Sequence, residues 1–400
     1  MYGQIVTFWY NRRMKTIAVI FGGRSTEHDI SIVTALASII KPLEASGQYQ
    51  VEPVYIAKNG DWYWDPGLKN IELYQSGEIE EFIRRAPKVL LQFDDGLVLV
   101  KSSQFAGRKK YQKIDVVFPA THGTHGEDGE LMGLLQMAAV PFVGCAMEAS
   151  VIAMDKVLAK QVAEANGIKS TPWKKVSSVE LSQNHTKVAD SLEELEYPLF
   201  VKPAHLGSSI GITKVDSPNQ LNNALEVAAH YDKKIIVEQA VQNLVEVTLP
   251  IIGNNELTPA YLEQPLTNTE EFFDFDTKYM QGGKKGKSGG KKGGSQGYSK
   301  IPADLPKVLY DKAEKVGLDV YKALGCTGIA RVDMLIDSKT QEVYFNEVNP
   351  LPGGLYAHNW RKKGISNVEL VTRLVDLAEA KFKSQAAYQT SFQTNYLKQF

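Results

Sequence analysis

The first third of the chain alternates short apolar runs with helical patterns, and this alternation constrains the fold more than any other feature of the sequence. Apolar runs lie at 17–21, 51–56 and 114–118, and a helical pattern fills residues 30–40. Parallel strands need a long crossover between them, which is usually a helix, so alternating strands and helices favour a parallel sheet. The sequence therefore predicts an α/β fold that begins with a doubly wound parallel sheet.

The remainder of the chain is too long for one compact core. Domains usually hold about 100 to 200 residues, and this chain has 400, so two or three domains are expected. An elaboration with a possible hairpin at 89–100 follows the first strands. Further strands are predicted at 198–202, 212–215, 235–238, 246–252, 328–336 and 343–348, and further helices at 304–324 and about 367–381.

Charge and cysteine content exclude several classes of protein. The formal net charge is −1, so no general field attracts nucleic acid or a membrane, and small anions held by local clusters are the expected partners. Cys145 and Cys326 have no Cys or His neighbour at metal-ligand spacing and are expected to be buried apolar residues. No apolar run approaches the roughly 18 residues of a membrane span, and the first residues lack a signal-peptide pattern, which predicts a cytoplasmic protein.

The first glycine-containing loop, GGRSTEH at 22–28, joins the first strand to the first helix. Glycines there let backbone amides approach a ligand, and the carboxylate of Glu27 could hold an ammonium group. A tight turn with an acidic residue in the first helical turn explains the same pattern. The loop alone leaves both interpretations open.

The second loop, THGTHGEDG at 121–129, follows the strand at 114–118, where ligand sites of α/β sheets open. Two histidines and two acids in nine residues could bind a metal, and a turn with capping acids is an equal alternative. A third loop, GSSIG at 207–211, comes after Lys202 at a strand end. It could offer a charge and free amides to phosphates, although it is not a P-loop.

The strongest motif is a pair of strands that carry acidic and amide side chains. Arg331 and Asp333 alternate along one strand, as Glu347 and Asn349 do along the next, so each pair shares a face. If the strands are neighbours, three oxygen ligands and a guanidinium converge. Oxygen ligands of this kind suit Mg²⁺ bound to nucleotide phosphates. A salt-bridged sheet face is the alternative.

Taken together, these motifs resemble the D-alanine:D-alanine ligases of the ATP-grasp superfamily. The resemblance runs from Lys15 to about Lys381 and rests on the order and spacing of the motifs, because each alone is weak. In chain order they are GGRSTE at 22–27, HGTHGEDG at 122–129, MDK at 154–156, VKP at 201–203, GSSIG at 207–211, VEQ at 237–239, TKY at 277–279, IPA at 301–303, RVD at 331–333, NEVN at 346–349 and PG at 352–353.

The resemblance implies an ATP-grasp fold of three domains. The implied divisions are an N-terminal extension at 1–14, a substrate-binding parallel-sheet α/β domain at 15–145, a small central α+β domain at 146–240, a C-terminal α+β domain at 241–385 with a lid loop at 278–302, and a tail at 386–400. The Gly/Lys-rich insertion at 281–294 lies in that lid and is expected to stay solvated. The family is often dimeric, so a homodimer is allowed.

The resemblance also implies an activity, which is ATP-dependent joining of two D-alanine molecules through an acyl phosphate, for peptidoglycan precursor synthesis. The implied cofactors are ATP and Mg²⁺, which Mn²⁺ could replace. The implied catalytic residues are Glu27, Ser208, Tyr279 and Arg331, and the implied metal ligands are Asp333, Glu347 and Asn349. Substrate would be bound by Glu27, His122 and Gly353, and ATP by Lys156, Lys202, Ser208, Ser209, Glu238, Gln239, Ala240, Val241, Glu246 and Lys278.

One segment departs from the family pattern. After Gly353 the family has a Thr/Ser-rich run whose hydroxyl helps to bind the second substrate, and here the run is GLYAHNW at 354–360. His358 replaces the expected hydroxyl, so a different acceptor, such as D-serine, D-lactate or another amino acid, is the alternative. A nucleotide-binding relative without turnover is a second alternative, against which the intact strand pair argues. Tyr279, which ester-forming relatives usually lack, favours an amine acceptor.

Overall fold

The computed structural model describes residues 14–102, 109–207, 209–266, 299–389 and 394–399. Its strands are β1 (Lys15–Gly22), β2 (Tyr49–Ile56), β3 (Trp62–Trp64), β4 (Val89–Phe93), β5 (Leu97–Ser102), β6 (Lys109–Ile114), β7 (Val116–Pro119), β8 (Trp173–Ser177), β9 (Leu199–Pro203), β10 (Thr213–Val215), β11 (Lys234–Gln239), β12 (Leu244–Gly253), β13 (Leu257–Pro259), β14 (Gln264–Pro265), β15 (Ser299–Lys300), β16 (Gly328–Asp337) and β17 (Glu342–Asn349).

The helices lie between and after these strands. They are α1 (His28–Val33), a π-helical segment (Thr34–Ile40), α2 (Lys41–Ala45), α3 (Ile71–Gln75), α4 (Ile79–Arg85), α5 (Glu130–Met137), α6 (Met147–Met154), α7 (Lys156–Ala165), α8 (Ser178–Gln183), α9 (His185–Ser191), α10 (Pro218–Tyr231), α11 (Lys307–Ala323), α12 (Ala357–Lys362) and α13 (Asn367–Ala386), with 3₁₀ turns at Pro66–Lys69, Gly353–Tyr356 and Tyr396–Gln399.

The first sheet has the order β3-β2-β1-β7. β1 pairs in parallel with both β2 and β7, and β3 adds an antiparallel edge. The predicted parallel sheet is therefore confirmed. Gly22 ends β1 at a φ of +87°, and a Cβ there would lie 2.2 Å from the carbonyl oxygen of Ile56, so the close approach of the two strand ends requires glycine.

Two further four-stranded sheets are antiparallel. One has the order β10-β9-β11-β8 and the other β13-β12-β16-β17. The predicted hairpin at 89–100 is present as β4 and β5, which form a separate three-stranded sheet with β6. The predicted helix at 304–324 begins only at Lys307, because two prolines at 302 and 306 precede it.

The apolar core connects the two ends of the chain. Trp360 and Leu374, from α12 and α13, pack in the same core as Phe21 of β1, and all three are buried. Both cysteines are buried, as predicted. Within the described residues, no helix combines the length and apolar character needed to cross a membrane.

Candidate functional site

The predicted strand pair forms in the structure. β16 and β17 are antiparallel neighbours, with Asp333 opposite Glu347 and Arg331 opposite Asn349. Arg331 Nε donates to Asp333 Oδ1 at 2.7 Å, and Asn349 Nδ2 donates to Asp333 Oδ2 at 3.1 Å. The two strands are therefore neighbours, as the prediction required, and Arg331 and Asn349 both bond Asp333. The role of Asp333, Glu347 and Asn349 as metal ligands stays a prediction.

The donor set of this cluster fits a hard divalent cation. Asp333 and Glu347 supply carboxylates and Asn349 an amide oxygen, which are the ligands that Mg²⁺ prefers. Burial acts to lower the pKa of Arg331, but the charges of Asp333, Tyr356 and Glu347 hold that pKa well above its usual value. The guanidinium is a permanent positive charge beside the ligands.

Two lysines lie next to this cluster. Lys156 is the first residue of α7, whose N-terminus is capped by Asp155. Its Nζ donates to Leu206 O at 2.7 Å and lies 3.4 Å from Glu347 Oε2. Lys202, near the end of β9, places its Nζ 2.6 Å from Glu238 Oε2. The two predicted phosphate-binding lysines thus face the same region from different elements.

Lys160 is a site residue that sequence reasoning missed. It is fully buried, and its Nζ lies 3.3 Å from Glu238 Oε1. Burial acts to raise the pKa of Glu238, but Lys160 and Lys202 together lower it to about 2, so this carboxylate is held ionised. Lys160 stands one helical turn after Lys156 and therefore on the same face of α7, and that spacing is the signal that could have found it.

The predicted adenine and ribose residues lie where the second and third sheets meet. Glu238 and Gln239 end β11, and Ala240 and Val241 follow it toward β12. Ala240 N donates to Pro198 O at 2.9 Å, which fixes this connection. Glu246 lies in β12. Burial acts to lower the pKa of Lys202, but the charges of Glu238, Glu347 and Glu246 raise it above its usual value.

The three glycine-containing loops meet at Glu27. This residue caps α1 and is 9% exposed. A Cβ placed on Gly123 would be 2.9 Å from Glu27 Oε2, and one placed on Gly207 would be 3.6 Å from the same atom. Ser209 has a φ of +60°. The predicted residues Ser208, Lys278 and Tyr279, the insertion at 281–294 and most of the predicted lid lie outside the described residues.

The second loop contains two buried titratable groups, His122 and Glu127, whose pKa values burial shifts in the direction that favours the uncharged form. His122 Nε2 bonds Thr34 Oγ1 at 2.9 Å, and burial, assisted by the charge of Arg331, lowers the pKa of His122 to about 4. Burial and the charge of Glu27 raise the pKa of Glu127 well above its usual value. The loop therefore adds buried polar side chains beside Glu27, and burial acts on both in favour of the uncharged form.

The exposed end of this loop leaves both alternatives open, because the side-chain ligand atoms of His125, Asp128 and Glu130 lie within 4.8 Å of one another and also make the bonds of a capped turn. Asp128 accepts from the backbone amides of His125 at 2.7 Å and of Glu130 at 3.3 Å, and His125 Nδ1 lies 2.6 Å from Glu130 Oε2. These bonds are those of a turn that starts α5.

The segment after Gly353 forms a left-handed turn. Gly354, Leu355 and Tyr356 have φ values of 60°, 54° and 52°, an arrangement that is strained for the two residues with side chains. Gly354 N donates to Thr34 Oγ1 at 3.0 Å, and the ring of Tyr356 lies 5.0 Å from the Arg331 guanidinium. His122 of the second loop bonds the same Thr34 oxygen. The turn therefore connects the second loop to the cluster of Arg331, Asp333, Glu347 and Asn349, which we call the strand-pair cluster.

His358, the predicted replacement for a hydroxyl, is paired with an acid that sequence reasoning missed. Its Nε2 lies 2.8 Å from Glu263 Oε2. Burial acts to raise the pKa of Glu263, but its contacts with His358, Ser299 and Asn359 lower it. The acid is 95 residues away in sequence, and no local pattern indicated the contact.

His205, which precedes the third loop, forms ion pairs with two carboxylates. Its Nδ1 lies 2.8 Å from Asp232 Oδ2 and its Nε2 lies 3.3 Å from Asp155 Oδ2. These two carboxylates, Asp155 first, outweigh partial burial and raise the pKa of His205 to about 9. Asp155 caps α7, so the protonated ring connects the third loop to the helix that carries Lys156.

This arrangement predicts a pH-dependent loss of stability in alkali. Because the folded-state pKa is raised, the contribution of His205 is complete below its unfolded value near 6.5 and is lost as the pH rises through about 9. The ring is 42% exposed, so solvent screening reduces the contribution to about 1 kcal/mol. Denaturant unfolding of the wild type and of His205→Gln between pH 6 and 10 should show the wild-type advantage shrink over that interval. An advantage independent of pH would contradict this role, and His185→Gln, on exposed α9, is the control.

Comparisons with known proteins agree with this geometry. Two family models match the chain, "D-ala D-ala ligase N-terminus" over residues 16–145 and "D-ala D-ala ligase C-terminus" over residues 162–376. A D-alanine–D-alanine ligase of Acetivibrio thermocellus is 35% identical, with 92% of this chain and 96% of the relative covered. A D-alanine–D-alanine ligase of Chlorobium phaeovibrioides is 36% identical, with 91% and 96% covered.

Solved structures give the same result. The D-alanine-D-alanine ligase of Coxiella burnetii superposes with a TM-score of 0.77 at 26% identity, and 94% of this chain and 97% of the other are covered. The VanG D-Ala:D-Ser ligase of Enterococcus faecalis superposes with a TM-score of 0.75 at 30% identity, and the coverages are 92% and 100%.

Proposed function

Because the chain belongs to the D-alanine–D-alanine ligase family, we propose that it joins two D-alanine molecules in an ATP-dependent reaction that forms ADP. The observation that carries the proposal is the cluster of Arg331, Asp333, Glu347 and Asn349, with Lys156 3.4 Å from Glu347. A nucleotide-binding relative without turnover would have no need for this complete set. The dipeptide would enter peptidoglycan precursor synthesis.

We assign the binding of the nucleotide to the groove between the second and third sheets. Lys156 and Lys202 contact the phosphates together with Ser208, Ser209 and Lys278. Glu238, held ionised by two lysines, and the backbone of residues 239–241 bind adenine, and Glu246 binds the ribose. Asp333, Glu347 and Asn349 would hold Mg²⁺, which would supply positive charge to neutralise the phosphates of the nucleotide.

The donor D-alanine would lie where the glycine loops meet. Glu27 holds its ammonium group, His122 and Gly353 line the subsite, and Ser208 and Tyr279 complete the contact with Glu27. The carboxylate of the donor then faces the γ-phosphate and becomes an acyl phosphate. The amine of the acceptor attacks the acyl carbon and phosphate leaves.

Arg331 stabilises this chemistry through its fixed positive charge. Negative charge accumulates on the transferred phosphoryl group and on the oxygen of the tetrahedral intermediate. A cation that is already held in place by Asp333 needs no reorganisation when that charge develops.

The three four-stranded sheets support a division into domains at 15–145, 146–240 and 241–385. The extension at 1–14, the lid loop at 278–302 within the C-terminal domain and the tail at 386–400 stay predictions. We propose that the enzyme works in the cytoplasm, where ATP is available, on small-molecule substrates and without a nucleic acid or membrane partner. A homodimer is compatible with this assignment.

The acceptor is the part of the proposal that most needs a test, because the run after Gly353 departs from the family pattern. A competition assay with D-alanine, D-serine and D-lactate as acceptors, with products separated by mass at two pH values on either side of neutrality, measures the preference. We expect D-alanyl-D-alanine to dominate at both. Dominant ester product at the higher pH would overturn the acceptor assignment and leave the ATP-binding assignment in place.

A further inference from the structure

The pair of His358 and Glu263 fits a task that the reaction requires. An amino acid acceptor arrives as an ammonium ion near neutral pH and must lose a proton before its nitrogen can attack. We propose that His358 is the general base that removes this proton and that Glu263 positions it. This inference rests on the proposed function, because it concerns the second step of the same reaction.

The ion pair determines which ring nitrogen is free. A carboxylate can only accept, so His358 Nε2, 2.8 Å from Glu263 Oε2 and 3.1 Å from Oε1, carries the hydrogen. In the neutral ring the lone pair is then on Nδ1. A histidine whose tautomer is set by a carboxylate is the arrangement that general bases use.

The acid itself is held rigidly. Glu263 is 7% exposed. Asn359 Nδ2 donates to Glu263 Oε2 at 3.2 Å and to Tyr261 O at 2.9 Å. Asn359 is fully buried, and its Oδ1 accepts from Tyr261 N at 3.1 Å. A carboxylate with this support orients the imidazole and would stabilise it once it is protonated.

The left-handed turn places the pair near the strand-pair cluster of Arg331, Asp333, Glu347 and Asn349. The ring of His358 lies 5.0 Å from that of Tyr356, which in turn lies 5.0 Å from the Arg331 guanidinium. Burial is the main cause that raises the pKa of Tyr356, and the charges of Arg331, Asp333 and Glu263 also act on its phenol, so Tyr356 lies near both the strand-pair cluster and Glu263. Left-handed angles at residues with side chains persist only where the surrounding structure over-determines them.

The other titratable groups of this region have different states. Burial lowers the pKa of His122 to about 4, so His122 is a poor proton acceptor near neutral pH, and burial together with the charge of Glu27 raises the pKa of Glu127 well above its usual value. Glu27 lies at the meeting point of the glycine loops, where the donor ammonium is assigned. His358 is therefore the group of the described site best placed for the second substrate.

The step balances without another reactant. Nδ1 of His358 takes one proton from the acceptor ammonium, and the nitrogen lone pair forms the C–N bond. The C–O bond to phosphate breaks, the electron pair leaves with the phosphate, and the second amine proton goes to that phosphate. His358 later returns its proton to solvent.

An assay with hydroxylamine distinguishes proton removal from the acceptor amine from the earlier formation of the acyl phosphate. It is an unprotonated nucleophile near neutral pH, and it converts an acyl phosphate to a hydroxamate without needing a base. With ATP, Mg²⁺, D-alanine and hydroxylamine, we expect His358→Gln to form D-alanine hydroxamate at close to the wild-type rate. We expect its rate of dipeptide formation to fall by about 10²-fold or more.

Glu263→Gln should also lose dipeptide formation while it keeps hydroxamate formation, and its loss should be smaller. His185→Gln, on exposed α9, is the control and should match the wild type in both assays.

The other outcomes are distinct. Equal loss of hydroxamate and dipeptide in His358→Gln would overturn the base assignment and give the residue a structural role. A rise in KM for the acceptor at unchanged kcat would also overturn it, in favour of carboxylate binding by His358. If the wild type itself formed neither hydroxamate nor ADP in this assay, the proposed function would be contradicted instead.

Discussion

We expect Glu347→Gln to lower kcat by about 10²- to 10³-fold while the protein stays folded. The change removes one anionic ligand of the strand-pair cluster and keeps the shape of the side chain. A weaker hold on the cation would remove positive charge that stabilises the transferred phosphoryl group, and loss of one such stabilising interaction costs about 10²- to 10³-fold in kcat. Steady-state ADP release measures kcat, and circular dichroism with thermal unfolding checks the fold.

Glu342→Gln is the matched control for this variant. Glu342 lies in the same strand, β17, but at its exposed start, where it pairs with Lys169 at 2.9 Å. Surface pairs of this kind contribute little, so we expect activity to be unchanged. A folded Glu347→Gln protein with wild-type turnover would show that β16 and β17 form a structural salt-bridged face and no metal site.

Arg331→Lys is expected to lower kcat by a similar factor, about 10² or more. Lysine keeps the charge but cannot reproduce the two parallel bonds that the guanidinium donates to Asp333. Its ammonium would be a mobile point charge at the place where the structure holds a planar, fixed one. The measurement is kcat and KM for ATP, with kcat carrying most of the loss because the interaction strengthens in the transition state.

Arg361→Lys is the control for the second variant. Arg361 is exposed in α12 and donates to Asn367 Oδ1 at 2.9 Å. Its replacement should leave both parameters within twofold of the wild type. If Arg331→Lys were equally silent, the stabilisation assigned to the guanidinium would have to come from elsewhere.

The local patterns of the sequence predicted the parts of the site that lie on regular strands. Side chains alternate along a strand, so Arg331 shares a face with Asp333, and Glu347 shares one with Asn349. Antiparallel pairing of the two strands then brings these faces together. The parallel first sheet followed from strands separated by helices. In each case a short stretch of sequence contains the physical cause.

Contacts between distant segments could not be predicted in the same way. Glu263 meets His358 only because β12 pairs with the segment before β14 and because three successive residues adopt left-handed angles. Two of those residues, Leu355 and Tyr356, have side chains that disfavour such angles, so no turn rule predicts them. Lys160 was missed for a related reason, since a lysine on an amphipathic helix is usually at the surface.

The most direct test of the central claim follows the oxygen of the substrate. The enzyme is incubated with ATP, Mg²⁺ and D-alanine labelled with ¹⁸O in its carboxylate, and ADP, phosphate and dipeptide are measured by mass. We predict equal amounts of the three products, ADP release that depends on D-alanine, and a single ¹⁸O transferred to each phosphate, because the donor carboxylate becomes an acyl phosphate. ADP release without dipeptide, or phosphate without label, would contradict the account.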